Sequence, residues 1–346
     1  MILPDRYCAD LAKQFSLVMG LVTILSFSVS SNSAQNTEST ALLYEIQRAS
    51  VELIVGTTEK NKRAVNLAVS YPLGESDYPL IVFSHGHALD NQSYNNLTDY
   101  WVERGYFVVA PMHLDSGGDL AVVSDITEKY GRDWIAVSRL LEMKGVIDQI
   151  ANIVSSLDDF KGTVLTDQVI AAGHSYGALS SQQLSGAKVE LSGDSIYPLP
   201  ATIVDERVVA VVAISPPGLM KDHLTEATWL GYKTPQLAVT GPNDFFPFIW
   251  PNYEEHFVSY LTAQPGSNYL LVLDEMDHYL GNLIGRLERD GPPQRLALKN
   301  LQEVSFMFIE SYLSRTSAAH AKEKLSQLDD YDQINKRDGI LRYEHR

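Results

Sequence analysis

The chain has 346 residues, 45% hydrophobic and 20% charged, which supplies a large core and excludes a disordered, collagenous or coiled-coil chain. Its 43 acidic residues against 27 basic ones give a net charge of -16, and no basic stripe tracks along any segment, so no nucleic-acid partner is expected. Cys8 is the single cysteine, which leaves no intrachain disulfide and no thiolate metal cluster.

Residues 1–34 have the layout of a secretory signal peptide. Arg6 and Lys13 precede an apolar stretch from Phe15 to Val29, and the small polar run Ser30-Ser31-Asn32-Ser33-Ala34 follows. A membrane anchor is the competing reading, but the run is short and broken by Ser16, Ser26 and Ser28. The expectation is a secreted or periplasmic protein with no stable membrane insertion after cleavage. If cleavage falls near Ala34, Cys8 is lost and the mature chain suits an oxidising compartment.

Beyond this segment, short apolar runs rich in β-branched residues occur at 51–55, 65–69, 80–83, 106–110, 169–172, 208–214, 236–239 and 269–273. Several are continuous rather than alternating, as in strands covered on both faces. Helical patterns lie between them, the longest at 134–157 and the last of the core at 294–312. Strands alternating with helices predict an α/β fold, with a mostly parallel sheet of about eight strands and helices on both faces. The first two strands are joined too directly for a helix, so that end of the sheet is expected to be antiparallel. The predicted organisation is a catalytic domain over 35–316 and a charged C-terminal segment over 317–346, read as a surface helix and a loose end. Residues 113–131 and 186–206 read as surface loops at the rim of a site.

Gly173-His174-Ser175-Tyr176-Gly177 follows one strand run and opens a helical segment. In a strand-turn-helix context Gly-x-Ser-x-Gly lifts the serine hydroxyl above the sheet, and the two glycines keep side chains out of a very tight turn. Ser175 is therefore the expected nucleophile, held in a strained backbone conformation. A hydrolytic serine needs two backbone N–H groups aimed at the developing oxyanion. One is expected from Tyr176 and the other from the loop Ser84-His85-Gly86-His87-Ala88, at His87 or Ala88. His85, His87, His113 and Asp115 also invite a zinc reading, but no further Asp-His pair completes a binuclear set, and neither metal nor cofactor is expected.

The acid and the base follow the nucleophile. Asp244 lies after the 236–239 run and His278 after the 269–273 run. Each sits just past the C-terminal end of a strand, where ligands collect in open parallel sheets. His278 would take the Ser175 proton, and Asp244 would orient and stabilise its imidazolium. Asp205, Asp222, Asp274 and Asp277 are rival acids, although Asp274 and Asp277 lie too near His278 in sequence for the usual geometry.

These stretches, with Val82-Phe83-Ser84-His85-Gly86, Gly105-Tyr106-Phe107-Val108-Val109-Ala110-Pro111 and His278-Tyr279-Leu280-Gly281, resemble the α/β-hydrolase superfamily. Within it the resemblance is to the dienelactone-hydrolase-like and platelet-activating-factor-acetylhydrolase-like serine esterases. It spans roughly residues 49–316 and is sharp only in those stretches. It implies Ser175, Asp244 and His278 as a triad, N–H donors at His87 and Tyr176, and carboxylic-ester hydrolysis through an acyl-enzyme. The same triad would serve an acyltransferase, and a binding protein on the same fold is a reading from another class. Nothing suggests a pocket for an extended peptide.

Tyr176, Trp229, Phe245, Phe246, Phe248, Trp250, Tyr253 and Tyr279 fall around the expected rim. Core packing accounts for most aromatics in any protein. The stretch from Phe245 to Trp250, punctuated by Pro247 and Pro251, reads instead as a rigid aromatic loop beside the pocket. The expected partner is a small-molecule ester carrying an apolar group.

Overall fold

In the computed structural model the described residues are 43–56, 58–117, 120–201, 203–221, 223–286, 291–313 and 318–346. The N-terminal 34 residues, read above as a signal peptide, lie outside them, as does Asp222.

The chain runs β1 (Ile46–Val55), β2 (Arg63–Pro72), β3 (Asp77–Ser84), α1 (Asn95–Val102), β4 (Phe107–Pro111), α2 (Leu120–Tyr130), α3 (Arg132–Asp148), α4 (Ile150–Ser155), β5 (Thr163–His174) and α5 (Tyr176–Leu184). It continues through β6 (Val208–Ile214), β7 (Gln236–Thr240), α6 (Val258–Thr262), β8 (Asn268–Leu273), α7 (Arg295–Tyr312), α8 (Ala318–Leu328), α9 (Tyr331–Asn335) and β9 (Ile340–His345). The strands form one nine-stranded sheet in the order β1-β2-β4-β3-β5-β6-β7-β8-β9. The block from β4 to β8 is parallel, and β1, β2 and β9 are antiparallel to their neighbours.

The continuous apolar runs have a direct physical reason. In β3, Ile81 and Phe83 join the core beneath α1 and α7, while Leu80 and Val82 join the core beneath α3 and α4. All four are fully buried, because helices cover both faces of the sheet. Strand order reverses between β3 and β5, which pair directly through Ser84 and Gly173. A crevice at the carboxyl ends of the strands is expected at such a switch point, and the loop 85–88 and Ser175 both emerge there.

Three expectations change and one holds. The segment 113–131 carries the helix α2 rather than a loop alone. The 134–157 pattern divides at Gln149 into α3 and α4. Residues 186–206 do run without regular structure, docked on the start of α3, where Asp133 accepts from the Ser192 and Gly193 amides and Asp194 accepts from those of Arg132 and Asp133. The segment after α8 ends in a ninth strand rather than a loose end. Ile340 and Tyr343 of β9 are buried against the α7 face while Leu341 and Arg342 are exposed, a pattern interrupted by a register shift against β8 and obscured by the charges of the segment.

Candidate active site

Ser175 sits between β5 and α5 with φ 56° and ψ -122°, a conformation that costs a non-glycine residue energy and persists only where its surroundings impose it. The surroundings are tight. A Cβ at Gly177 would lie 1.9 Å from the Ser84 carbonyl oxygen, so α5 can approach β3 only with glycine there. A Cβ at Gly86 would lie 3.1 Å from His174 Nδ1 and 3.4 Å from Ser175 Cβ, which brings the loop after β3 against the serine. Ser175 itself is half-buried and caps the N-terminus of α5, where backbone N–H groups and the helix dipole favour negative charge.

Asp244 and His278 come together because β7 and β8 are parallel neighbours and their pairing continues past both strand ends. Asn243 and Asp277 form one more bridge, with the Asn243 amide donating to the Met276 carbonyl at 3.0 Å. The next residue on each side is the acid and the histidine. His278 Nδ1 donates to Asp244 Oδ1 at 2.7 Å, which leaves Nε2 as its free ring nitrogen. Asp244 Oδ2 accepts from Thr240 Oγ1 at 2.7 Å, and the carboxylate is fully buried. Despite that burial, the neighbouring His256 and His278 rings hold its pKa well below the usual carboxylate range.

The rival acids do other work. Asp205 lies before β6, at the opposite end of the strands, and binds Arg207 and Lys144. Asp277 Oδ1 accepts from the Tyr279 and Gly281 amides and so shapes the turn that carries His278. Asp274 Oδ1 accepts from the Glu275 amide.

Of the two alternatives in the loop 85–88, the Ala88 amide donates to the Asp115 carbonyl at 3.2 Å. The His87 amide is therefore the one available to an oxyanion, together with the amide of Tyr176 at the first position of α5. Below them lies a buried polar network. Arg139 of α3 binds Asp115 through Nε at 2.9 Å and Nη2 at 2.8 Å, and its Nη1 donates to the His85 carbonyl at 2.8 Å. The same guanidinium lies 4.5 Å from the centre of the Tyr176 ring. Asp115 Oδ2 also takes His87 Nδ1 at 2.8 Å. One buried cation thus reaches both the loop 85–88 and the Tyr176 start of α5. Arg139 and its role are invisible in the sequence, where it is one polar position among several on a helix.

The histidines that suggested zinc are committed elsewhere. His85 Nδ1 donates to the Gly86 carbonyl at 2.7 Å, and its Nε2 accepts from the His113 amide at 3.0 Å. His113 spans Ser84 Oγ and Glu142 Oε2 at 2.7 and 2.6 Å. Burial holds both rings neutral.

The aromatic stretch after Asp244 folds back on itself, with Phe246 and Trp250 exchanging backbone hydrogen bonds of 2.7 and 2.8 Å. Phe246 meets the His278 ring edge-on at 4.7 Å between centroids. Phe248 at the tip is fully exposed, flanked by half-exposed Phe245 and Ile249. Trp229, expected at the rim, is instead fully buried in a small separate core with Leu179 and Tyr232, its Nε1 donating to Gln182.

Comparison with known proteins adds one match. Residues 40–158 are similar to the protein family described as Chlorophyllase, a family of the α/β-hydrolase superfamily. Over this stretch the chain is similar to that superfamily, and its nine-stranded, mostly parallel sheet with helices is an α/β fold. The matched third runs from β1 through α4, including the loop 85–88 and Arg139, and stops before Ser175. No curated protein matches the chain. The family likeness points to an ester hydrolase of the α/β-hydrolase type.

Proposed function

We propose that this chain is an α/β-hydrolase that cleaves carboxylic esters through an acyl-enzyme on Ser175, with His278 as base and Asp244 as its acid partner. The observation that carries the reading is the strained Ser175 at the strand-order switch point, one residue beyond His174, whose Nε2 is bonded to the His278 backbone. Ser175 Oγ attacks the ester carbonyl carbon as His278 Nε2 takes its proton. The oxyanion meets the His87 and Tyr176 amides. Collapse breaks the C–O bond, and the His278 proton goes to the departing alkoxide. Water then repeats the sequence on the acyl-enzyme, releasing the acid and restoring Ser175.

The substrate class we propose is a small-molecule ester with an apolar group, which the Phe245–Ile249 tip and the Phe246 ring beside His278 would receive. No metal or cofactor enters this chemistry. The charged start and apolar run of the first 34 residues support export to the periplasm or medium, which fractionation with mass spectrometry of the mature N-terminus checks.

The test is hydrolysis of a p-nitrophenyl ester chain-length series by wild type and Ser175→Ala. The expected result is a burst in wild type and turnover at least about 10³-fold lower in the variant, with a fluorophosphonate probe adding its mass at Ser175. Turnover that survives Ser175→Ala overturns the reading.

A further inference from the structure

His256 stands on the turn between the aromatic loop and α6, fully buried and 5.5 Å from Trp250 between ring centres. Its Nδ1 is 2.6 Å from the Pro216 carbonyl, and its Nε2 is 3.3 Å from Asp244 Oδ1, the same oxygen that His278 uses. The second contact is an ion-pair distance without good hydrogen-bond alignment, and Nε2 has no other partner among the described residues. Both ring nitrogens therefore face oxygen acceptors. A neutral imidazole has one N–H, and whichever nitrogen lacked it would turn a lone pair toward an oxygen. Only the doubly protonated form offers a donor to both contacts.

Asp244 needs such a partner. Its carboxylate is fully buried, and when His278 is in the free form that a base requires, its other donors, the Thr240 hydroxyl and the His278 N–H, carry no charge. An uncompensated buried carboxylate is strongly unfavourable. The groups facing His256 are Asp244, His278 with its ring centre 6.1 Å away, and His174, which burial keeps neutral; Glu254 and Glu255 belong to its own turn.

A metal explains the cluster less well. Two ligand atoms on one tetrahedral zinc stand roughly 3.3 Å apart at ordinary bond lengths. His278 Nδ1 and Asp244 Oδ1 are 2.7 Å apart, the spacing of a hydrogen bond.

We propose that His256 is a positioning residue for the reaction, an imidazolium on the far side of Asp244 that serves as the resting counter-ion of the acid and sets the pH at which His278 becomes an effective base. The proposal rests on the triad assignment above. With the cation in place, part of the Asp244 charge is spent on His256, and protonating His278 puts a second cation beside the first. Both effects favour free His278, so activity extends to lower pH.

The test is the pH profile of kcat/KM for wild type and His256→Gln, which keeps a hydrogen-bond donor and removes the charge. The acidic limb is expected to move upward by about one pH unit in the variant, with KM little changed. A structural role alone would lower activity evenly and leave the limb in place, and that result overturns the proposal. A second arm needs no substrate. In ¹⁵N-histidine-labelled wild type at pH 7, the ring missing from the His256→Gln spectrum should carry two protonated nitrogens, and a neutral ring there also overturns the proposal. If Ser175→Ala keeps full turnover, the triad reading fails while this spectrum still reports the His256 charge.

Discussion

His174 Nε2 donates to the backbone carbonyl of His278 at 2.7 Å, so the residue before Ser175 grips the backbone of His278. The carbonyl can only accept, which fixes the proton on Nε2 and leaves Nδ1 as an acceptor for the Tyr94 hydroxyl at 2.9 Å. Tyr94 in turn accepts from the Gly86 amide at 3.0 Å. The direction of every bond follows from its two ends: Gly86 to Tyr94 to His174 to His278. The chain works only with a neutral His174, and burial beside His278 depresses its basicity in that sense. The loop after β3 and the loop after β8 are thereby coupled through the motif that carries Ser175.

Tyr94→Phe cuts this chain at one hydroxyl and changes little volume. The Gly86 amide and His174 Nδ1 are left unpaired in a dry interior, at a cost of about 1–3 kcal/mol in urea unfolding. Because the reacting groups lose their mutual register, kcat should fall about 10- to 100-fold at nearly constant KM. Unchanged kcat beside the stability loss would mean that the chain supports the fold alone.

Arg139→Met removes the cation under the oxyanion loop while keeping most of the volume. Asp115, fully buried and held strongly acidic mainly by that guanidinium, loses its chief partner. Breaking such a pair should cost about 3–5 kcal/mol. With the His85 carbonyl and the Tyr176 ring also released, kcat should fall about 10²-fold. Steady-state kinetics on protein that circular dichroism shows to be folded would check both, and a wild-type kcat would refute the link to the oxyanion donors.

Glu142 gives a pH signature with an unusual sign. Arg63 Nη2 and Nε bind Oε1 at 2.7 and 2.9 Å, yet complete burial outweighs them and pushes the carboxyl up to about 7 from 4.5. The folded chain then holds this proton where the unfolded chain has lost it, so this contribution to stability falls as pH rises from about 4.5 to about 7. Buried neutral His85, His113 and His174 act oppositely, adding stability as pH rises toward 6.5. The difference between wild type and Glu142→Gln isolates the carboxyl. Urea midpoints at pH 5, 6, 7 and 8 should show wild type losing ground to the variant by about 2–3 kcal/mol in all. Parallel curves would show that Glu142 stays ionised.

Sequence revealed the parts that chemistry forces into local patterns. Ser175 was legible because a tight strand-to-helix turn needs glycine at 173 and 177, and Asp244 and His278 because each follows an apolar strand run. His256 and Arg139 were not legible, since each acts across the fold on residues of other elements and neither belongs to a spaced motif. The helix α2 was hidden behind Gly117-Gly118, and β9 behind charges on its outward face.

The place of β9 has a consequence for how the enzyme comes into being. It pairs antiparallel with β8, the strand whose end presents His278, and its register runs from Tyr269–His345 to Leu273–Ile340. On a ribosome, the nucleophile side of the sheet can assemble while β8 still has an open edge. The loop carrying His278 receives its full support only after residues 340–345 emerge and close that edge. The loop that carries His278 therefore takes its final place later in synthesis than the turn that carries Ser175, and the two halves of the crevice are completed at different times.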